Sequence, residues 1–335
     1  MVVVKCARLP RSRDVFSGIN CGNVELPNRT VQKYSPFDNF AAIKDSGKVA
    51  KDKAFYQKGS LNLGGKVYSL DQAMIMGILN INPDSFFDGG AYTSVEKALN
   101  QARRMQAEGA DIIDLGPASS KPGSALIEPE KEWQILAPVI QALRTELPEM
   151  PLSVDTYNAK TAERSLSNGI ALINDISGGM IDPAMISFIG ESQVPYVMMH
   201  MQGLPENMQQ NPQYDNVVKE VARFFSEQLE KLVAAGATDI ILDPGFGFGK
   251  SQADNYRLFQ HINYFKLIFE LPILVGISRK SMIYKSLGLN AQEALNATTV
   301  MHTLALQQGA DILRVHDVKE AVEVRKILNL NQNFA

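Results

Sequence analysis

The 335-residue chain is 45% hydrophobic and 21% charged, with a formal net charge of -3, the composition of a globular protein. That balance excludes a strongly basic nucleic-acid binder, and no run approaches the roughly 18 apolar residues of a membrane span. Two cysteines, Cys6 and Cys21, give neither a disulfide framework nor a CxxC metal pattern, so a reducing, cytoplasmic setting is expected.

Residues 1–58 show neither a period of two nor one of 3.6, and Lys5, Arg8, Arg11 and Arg13 interrupt any signal-peptide core. They are expected to form a poorly ordered extension before a single domain over residues 59–335. Alternation on both sides of Gly64-Gly65 predicts a β-hairpin over 60–70. Short apolar runs then alternate with helical segments. Strands are expected at 74–80, 112–115, 152–156, 196–201 and 273–278, and within the segments 169–175, 236–243 and 309–314. Helices are expected at 93–108, with Thr93 and Glu96 as a capping box, at 217–235 and at 318–328. Four segments share one logic: Gly109-Ala-Asp-Ile-Ile, Gly169-Ile-Ala-Leu-Ile, Gly236-Ala-Thr-Asp-Ile-Ile and Gly309-Ala-Asp-Ile-Leu. In each, a helix-ending glycine leads into a buried parallel strand. Eight such βα units predict a (β/α)₈ TIM barrel. A doubly wound sheet is the alternative, but the turn after the first strand is no GxGxxG.

In such a barrel the strand ends carry the chemistry. The residues there are Asn80, Asp114, Asp155, Asn174, Asp175, His200, Asp243, Ser278, Arg279, Lys280, Arg314 and His316. Unpartnered polar groups would cost roughly 1–3 kcal/mol each if buried, so a donor- and acceptor-rich ligand is expected. Mutual hydrogen bonding in a polar plug is the bland alternative. Lys280, Arg314 and His316 follow the last two strands, where barrels hold phosphate. Asp155, Asn174 and Asp243 suit a planar heterocycle with amino and ring N–H donors. Asn80 is a neutral oxygen ligand suited to Mg²⁺. Asp175 and the lone His200 read as structural. The glycine-rich run 243–250 lacks P-loop spacing and reads as a flexible loop.

These residues lie in motifs that resemble the dihydropteroate synthases. The motifs are Met76-Gly-Ile-Leu-Asn-Ile-Asn-Pro-Asp-Ser-Phe-Phe-Asp-Gly-Gly90, Ser153-Val-Asp-Thr156, Ile173-Asn-Asp-Ile-Ser-Gly178 and Met199-His-Met-Gln-Gly203. They continue through Leu242-Asp-Pro-Gly-Phe-Gly-Phe-Gly-Lys250, Gly276-Ile-Ser-Arg-Lys-Ser281 and Arg314-Val-His-Asp317. The resemblance implies a barrel that condenses 6-hydroxymethyl-7,8-dihydropterin pyrophosphate with p-aminobenzoate, in an SN1-like reaction with Mg²⁺. It also implies a homodimer. By motif, Asp114, Asp155, Asn174, Asp243 and Lys280 would surround the pterin, with Asp155, Asp243 and Lys280 the catalytic set. Asn80, Arg314 and His316 would take the pyrophosphate, Asn80 holding Mg²⁺. Ser119, Ser120, Lys121, Pro122, Phe248 and Ser278 would line the p-aminobenzoate site. The loop Gly116-Pro-Ala-Ser-Ser-Lys-Pro-Gly123 departs from the family's usual Gly-Gly-Glu-Ser-Thr-Arg-Pro-Gly and resembles sulfonamide-insensitive variants. A pterin-binding methyltransferase of the corrinoid system and a non-catalytic pterin-binding barrel are the competing readings.

Overall fold

The computed structural model describes residues 59–81, 91–117 and 125–333; the expected extension over 1–58 lies outside them. Strands β1 (Ser60–Leu63) and β2 (Lys66–Ser69) form the expected hairpin, with Leu63 opposite Lys66. Gly64 and Gly65 take φ of 63° and 86°, as a two-residue turn matched to strand twist requires. The hairpin buries Leu61 and Leu63 against Met74, Ile112, Leu172, Val197, Ile241, Leu274 and Ile312. It therefore stoppers the N-terminal end of the barrel.

The barrel strands are β3 (Met74–Ile81), β4 (Ile112–Pro117), β5 (Leu152–Asp155), β6 (Leu172–Asp175), β7 (Tyr196–Met199), β8 (Ile240–Asp243), β9 (Leu274–Val275) and β10 (Ile312–Val315). All pair in parallel in the order β8-β7-β6-β5-β4-β3-β10-β9, and a parallel bridge from Leu242 to Ile273 closes the ring. This sequential, closed order is that of a TIM barrel, not of a doubly wound sheet. Around it run α1 (Ala91–Glu108), α2 (Pro129–Glu146), α3 (Ala159–Ser167), α4 (Ala184–Ser192) and α5 (Val217–Ala235). The second half adds α6 (Gln252–Phe259), α7 (Ile262–Phe269), α8 (Ser281–Tyr284), α9 (Leu295–Gln307) and α10 (Val318–Asn333).

The repeat is a recurrent helix stop. Gly109, Gly169, Gly236 and Gly309 all take positive φ. The residue after each donates to the carbonyl five residues back: Ala110 to Met105 at 3.0 Å, Ile170 to Ser165 at 3.1 Å, Ala237 to Leu232 at 2.9 Å and Ala310 to Ala305 at 3.1 Å. This Schellman closure satisfies carbonyls that the helix end leaves orphaned. The aspartates of the repeat lock the lower rim. Asp111 accepts from the Ile75 amide at 2.7 Å and from Arg325, and Asp311 accepts from the Ile273 amide at 2.8 Å and from Lys266.

Some boundaries differ from expectation. Helix α1 starts at Ala91, so Thr93 and Glu96 lie inside its first turns and form no capping box. Helix α10 continues to Asn333. Strand β7 stops at Met199 because the backbone of the glycine-rich segment lies directly on residues 200–202. Strand β9 keeps two residues, and the chain turns soon after it, the Lys280 amide donating to the Ile277 carbonyl at 3.1 Å and Arg279 taking φ 53°.

Candidate active site

Side chains on a strand alternate, so residues two apart share a face. Ile112, Leu172, Ile241 and Ile312 belong to the inner apolar layer. Asp114, Asn174, Asp243 and Arg314, each two residues on, therefore enter the barrel mouth, as does Asp155 after the buried Ser153. They meet there. Arg314 donates from Nε to Asp114 Oδ2 at 2.7 Å and from Nη2 to Asp155 Oδ2 at 2.8 Å. Asn174 Nδ2 donates to the same Asp114 oxygen at 2.9 Å. The other oxygen, Asp114 Oδ1, is buried with no partner among the described residues.

This clustering moves the titrations. Burial pushes the Asp155 carboxyl up to about 7; the Arg314 guanidinium opposes that rise and Asp114 adds to it. Burial also raises Asp243, against the pull of Lys280, and Asp243 Oδ1 accepts from the Gly245 amide at 2.8 Å. Burial lowers Lys280 to about 8, while the Asp243 charge favours its ammonium. Burial opposes the Arg314 charge, but Asp114 and Asp155 outweigh it and the guanidinium is held firmly charged.

The aromatic side of the mouth is built by the run after β8. Lys280 Nζ donates to the Phe246 carbonyl and stands 4.7 Å from the centroid of the Phe248 ring. Phe248 packs with Tyr157, Ile176, Met199 and Met201. After β9, next to β8, Ser278 is buried and its Oγ lies 3.2 Å from both the His316 amide and His316 Nδ1. Ser278 is thus joined to the residue that the motifs gave to pyrophosphate. Desolvation of the ring, followed by the Arg314 charge, lowers His316 to about 4. Asn80 is exposed near the end of β3, opposite Gly116, and no described residue hydrogen-bonds its side chain. Ser119, Ser120, Lys121 and Pro122 lie outside the described residues.

Three polar strand-end residues stand apart from the mouth. Asp175 is satisfied by protein alone, accepting from the Ser177 amide and hydroxyl and the Tyr196 hydroxyl, each at 2.7 Å, and from the Gly179 amide at 2.8 Å. Arg279 is a tie between loops, pairing with Asp317 at 2.8 and 2.9 Å and with the carbonyls of Ala291 and Gln292. His200 is buried edge-on against Phe224, with ring centroids 5.0 Å apart.

Two buried residues escaped the sequence reading. Glu132, on α2, accepts from Thr156 Oγ1 at 2.8 Å and Asn158 Nδ2 at 2.9 Å, bracing the turn after Asp155. Nothing in the pattern of α2 separates it from the exposed glutamates around it. Lys250 is buried under the glycine-rich segment, which is not a free loop: Gly245, Gly247 and Gly249 take φ of 70°, 83° and 60°, Gly245 and Gly249 pack on the backbone of residues 200 and 202, and Gly247 packs on the Lys280 side chain. The basic end of an otherwise apolar, glycine-rich run was the available signal.

The sequence profile described as "Pterin binding enzyme" matches residues 76–316. The dihydropteroate synthase of Escherichia coli (strain K12) is 41% identical over 266 residues, covering 79% of this chain and 93% of that protein. A Yersinia pestis dihydropteroate synthase crystallised with a sulfonamide drug superposes with a TM-score of 0.76 at 40% identity, covering 82% of this chain and 99% of the other. A Xanthomonas albilineans dihydropteroate synthase with 4-aminobenzoic acid gives 0.75 at 36% identity, again covering 82% and 99%. The chain belongs to the pterin-binding enzymes and, among them, to the dihydropteroate synthases.

Proposed function

We propose that the barrel mouth condenses 6-hydroxymethyl-7,8-dihydropterin pyrophosphate with p-aminobenzoate, and that its two sides divide the work. The observation that carries this reading is the unpartnered Asp114 Oδ1 inside the Asp114–Asp155–Asn174–Arg314 layer. An acceptor buried without a donor is costly, and a pterin supplies ring N–H and amino donors to meet it. Asp155 on β5 and Asp243 on β8 add carboxylates to the mouth. Their raised titrations, caused first by burial, are driven back toward the charged form once donors arrive.

The bond between the pterin methylene carbon and the pyrophosphate oxygen breaks first, the oxygen keeping the electron pair. The electron-rich ring, flanked by Asp155 and Asp243, spreads the resulting positive charge. The p-aminobenzoate amine then forms the new C–N bond and its proton passes to the departing pyrophosphate or to water. Arg314 and His316 are the cations available to the leaving group. Phe248, with Lys280 above its ring, forms the wall for the aromatic amine, and the Lys280 ammonium matches its carboxylate. Asn80 fits Mg²⁺ as a single neutral oxygen: the described residues hold no cluster of three or more carboxylates, His or Cys, so water and pyrophosphate oxygens would complete the shell. When bound, Mg²⁺ would offset the charge of the pyrophosphate.

Further proposals rest on this assignment. The catalytic unit is the domain of residues 59–335, working in the cytoplasm. No helix among the described residues is long and apolar enough to cross a membrane. The chain forms a homodimer through α9, which exposes Val300 and Leu304. Sulfonamides, bound by the Yersinia relative, compete at the Phe248 wall. The altered 117–121 loop lowers their affinity relative to p-aminobenzoate. The test is formation of dihydropteroate and pyrophosphate from the two substrates, with and without Mg²⁺. Absence of both products with Mg²⁺ present overturns the proposal.

A further inference from the structure

The buried cation under the glycine-rich segment has no part in the chemistry above. Lys250 Nζ lies 2.8 Å from the Gly245 carbonyl, 3.1 Å from the Phe248 carbonyl, 3.3 Å from the His200 carbonyl and 3.0 Å from His200 Nδ1. No described carboxylate forms an ion pair with it. Burial lowers its titration to about 7; burial of the ring first, and the Lys250 charge second, lower that of His200, which favours a neutral imidazole able to accept. A buried ammonium with dipoles as its only direct partners is costly unless every N–H is used. Here the acceptors come from both sides of a seam: two carbonyls from the segment itself, and the carbonyl and ring of His200 from the end of β7.

The segment needs such a tie. A Cβ on Gly245 would stand 1.9 Å from the His200 carbonyl oxygen, and one on Gly249 would stand 2.1 Å from that of Gln202. Side chains are therefore excluded along the seam, and alternate glycines leave the backbone little rigidity of its own. Yet this backbone carries the Phe246 carbonyl and the Phe248 ring that hold Lys280.

We propose that Lys250 is a positioning residue for the condensation: it clamps residues 245–250 onto the end of β7 and so fixes the Phe246 carbonyl, the Phe248 ring and, through them, the Lys280 ammonium on the p-aminobenzoate side. The inference rests on the assignment of Phe248 and Lys280 to p-aminobenzoate. Lys250 itself touches no reacting atom.

The test is steady-state kinetics of Lys250→Met, Lys280→Met and the double variant, run with full-length protein after the parent is shown to make dihydropteroate. A parent without activity would contradict the function itself and is read first. Lys250→Met is expected to raise the KM for p-aminobenzoate roughly tenfold and that for the pterin pyrophosphate by less than about threefold. In the Lys280→Met background the same change should add less than about threefold, because the ammonium held through Phe246 and Phe248 is already gone and only the placement of the Phe248 ring is left to lose. Equal losses for both substrates, or an undiminished tenfold effect in the Lys280→Met background, would overturn the clamp. If Lys250→Met does not fold, His200→Ala keeps the ammonium and removes one acceptor. It should raise the p-aminobenzoate KM roughly threefold with the pterin KM unmoved, and an unmoved p-aminobenzoate KM would overturn the proposal.

Discussion

The two ends of this barrel use aspartate in opposite ways. At the lower rim Asp111 and Asp311 each accept a strand amide and one cation from an outer helix, and the hairpin covers the opening with Leu61 and Leu63. That end is closed by the protein's own groups. At the mouth, Asp114 and Asp155 share Arg314, Asn174 leans on Asp114, and one carboxylate oxygen is left over. The same side chain on the same scaffold is structural where a strand amide and a helix cation hold it and receptive where a buried oxygen is left without a donor.

The largest effect that would sharpen this contrast is expected at the mouth. Asp155→Ala removes one of the two carboxylates paired with Arg314 and an acceptor for the pterin. Leaving a buried pterin donor unpaired costs roughly 1–3 kcal/mol, so kcat/KM for the pterin pyrophosphate should fall by roughly a hundredfold. A loss under tenfold would break the contrast. Arg314→Ala distinguishes its two roles. If it serves the leaving group, the pyrophosphate substrate should weaken more than dihydropteroate. Equal weakening would leave it as the counter-charge of Asp114 and Asp155 alone.

At the lower end the sign changes from function to stability. Leu61→Ala opens a hole in the stopper and should cost about 2–4 kcal/mol of unfolding free energy, read by denaturant titration, with both KM values unmoved. A change in KM would mean that the stopper communicates with the mouth.

A smaller effect belongs to His302, buried on α9 within electrostatic reach of His316 and Asp317. Burial lowers it from 6.5 to about 4, so below pH 6.5 the unfolded chain takes up its proton first. Its share of stability is therefore present above pH 6.5 and lost as pH falls toward 4. His302→Leu should flatten the decline of melting temperature over that window. An unchanged slope would remove His302 from the account.

Much of this was legible in the sequence because it is periodic. The helix-ending glycines mark four strand starts, and polar residues two places after buried aliphatics mark the inner face: Ile112 with Asp114, Leu172 with Asn174, Ile241 with Asp243, Ile312 with Arg314. The motifs of the resemblance lie in the same places. What was not legible depends on distant partners. Arg314 meets Asp114 across 200 residues of chain, and no local spacing encodes that pair. Glu132 sits among exposed glutamates on α2 and is told apart only by the turn it braces. The turn after β9 depends on a left-handed Arg279 whose guanidinium is held by Asp317 and two carbonyls.

The most direct test of the contrast is calorimetric titration of a 7,8-dihydropteroate ligand into Asp114→Ala and Asp111→Ala, side by side with the parent. The account predicts that Asp114→Ala binds roughly a hundredfold more weakly, since it removes the buried acceptor left open at the mouth, while Asp111→Ala stays within about twofold. Equal affinity of the two variants, or a larger loss in Asp111→Ala, would contradict it.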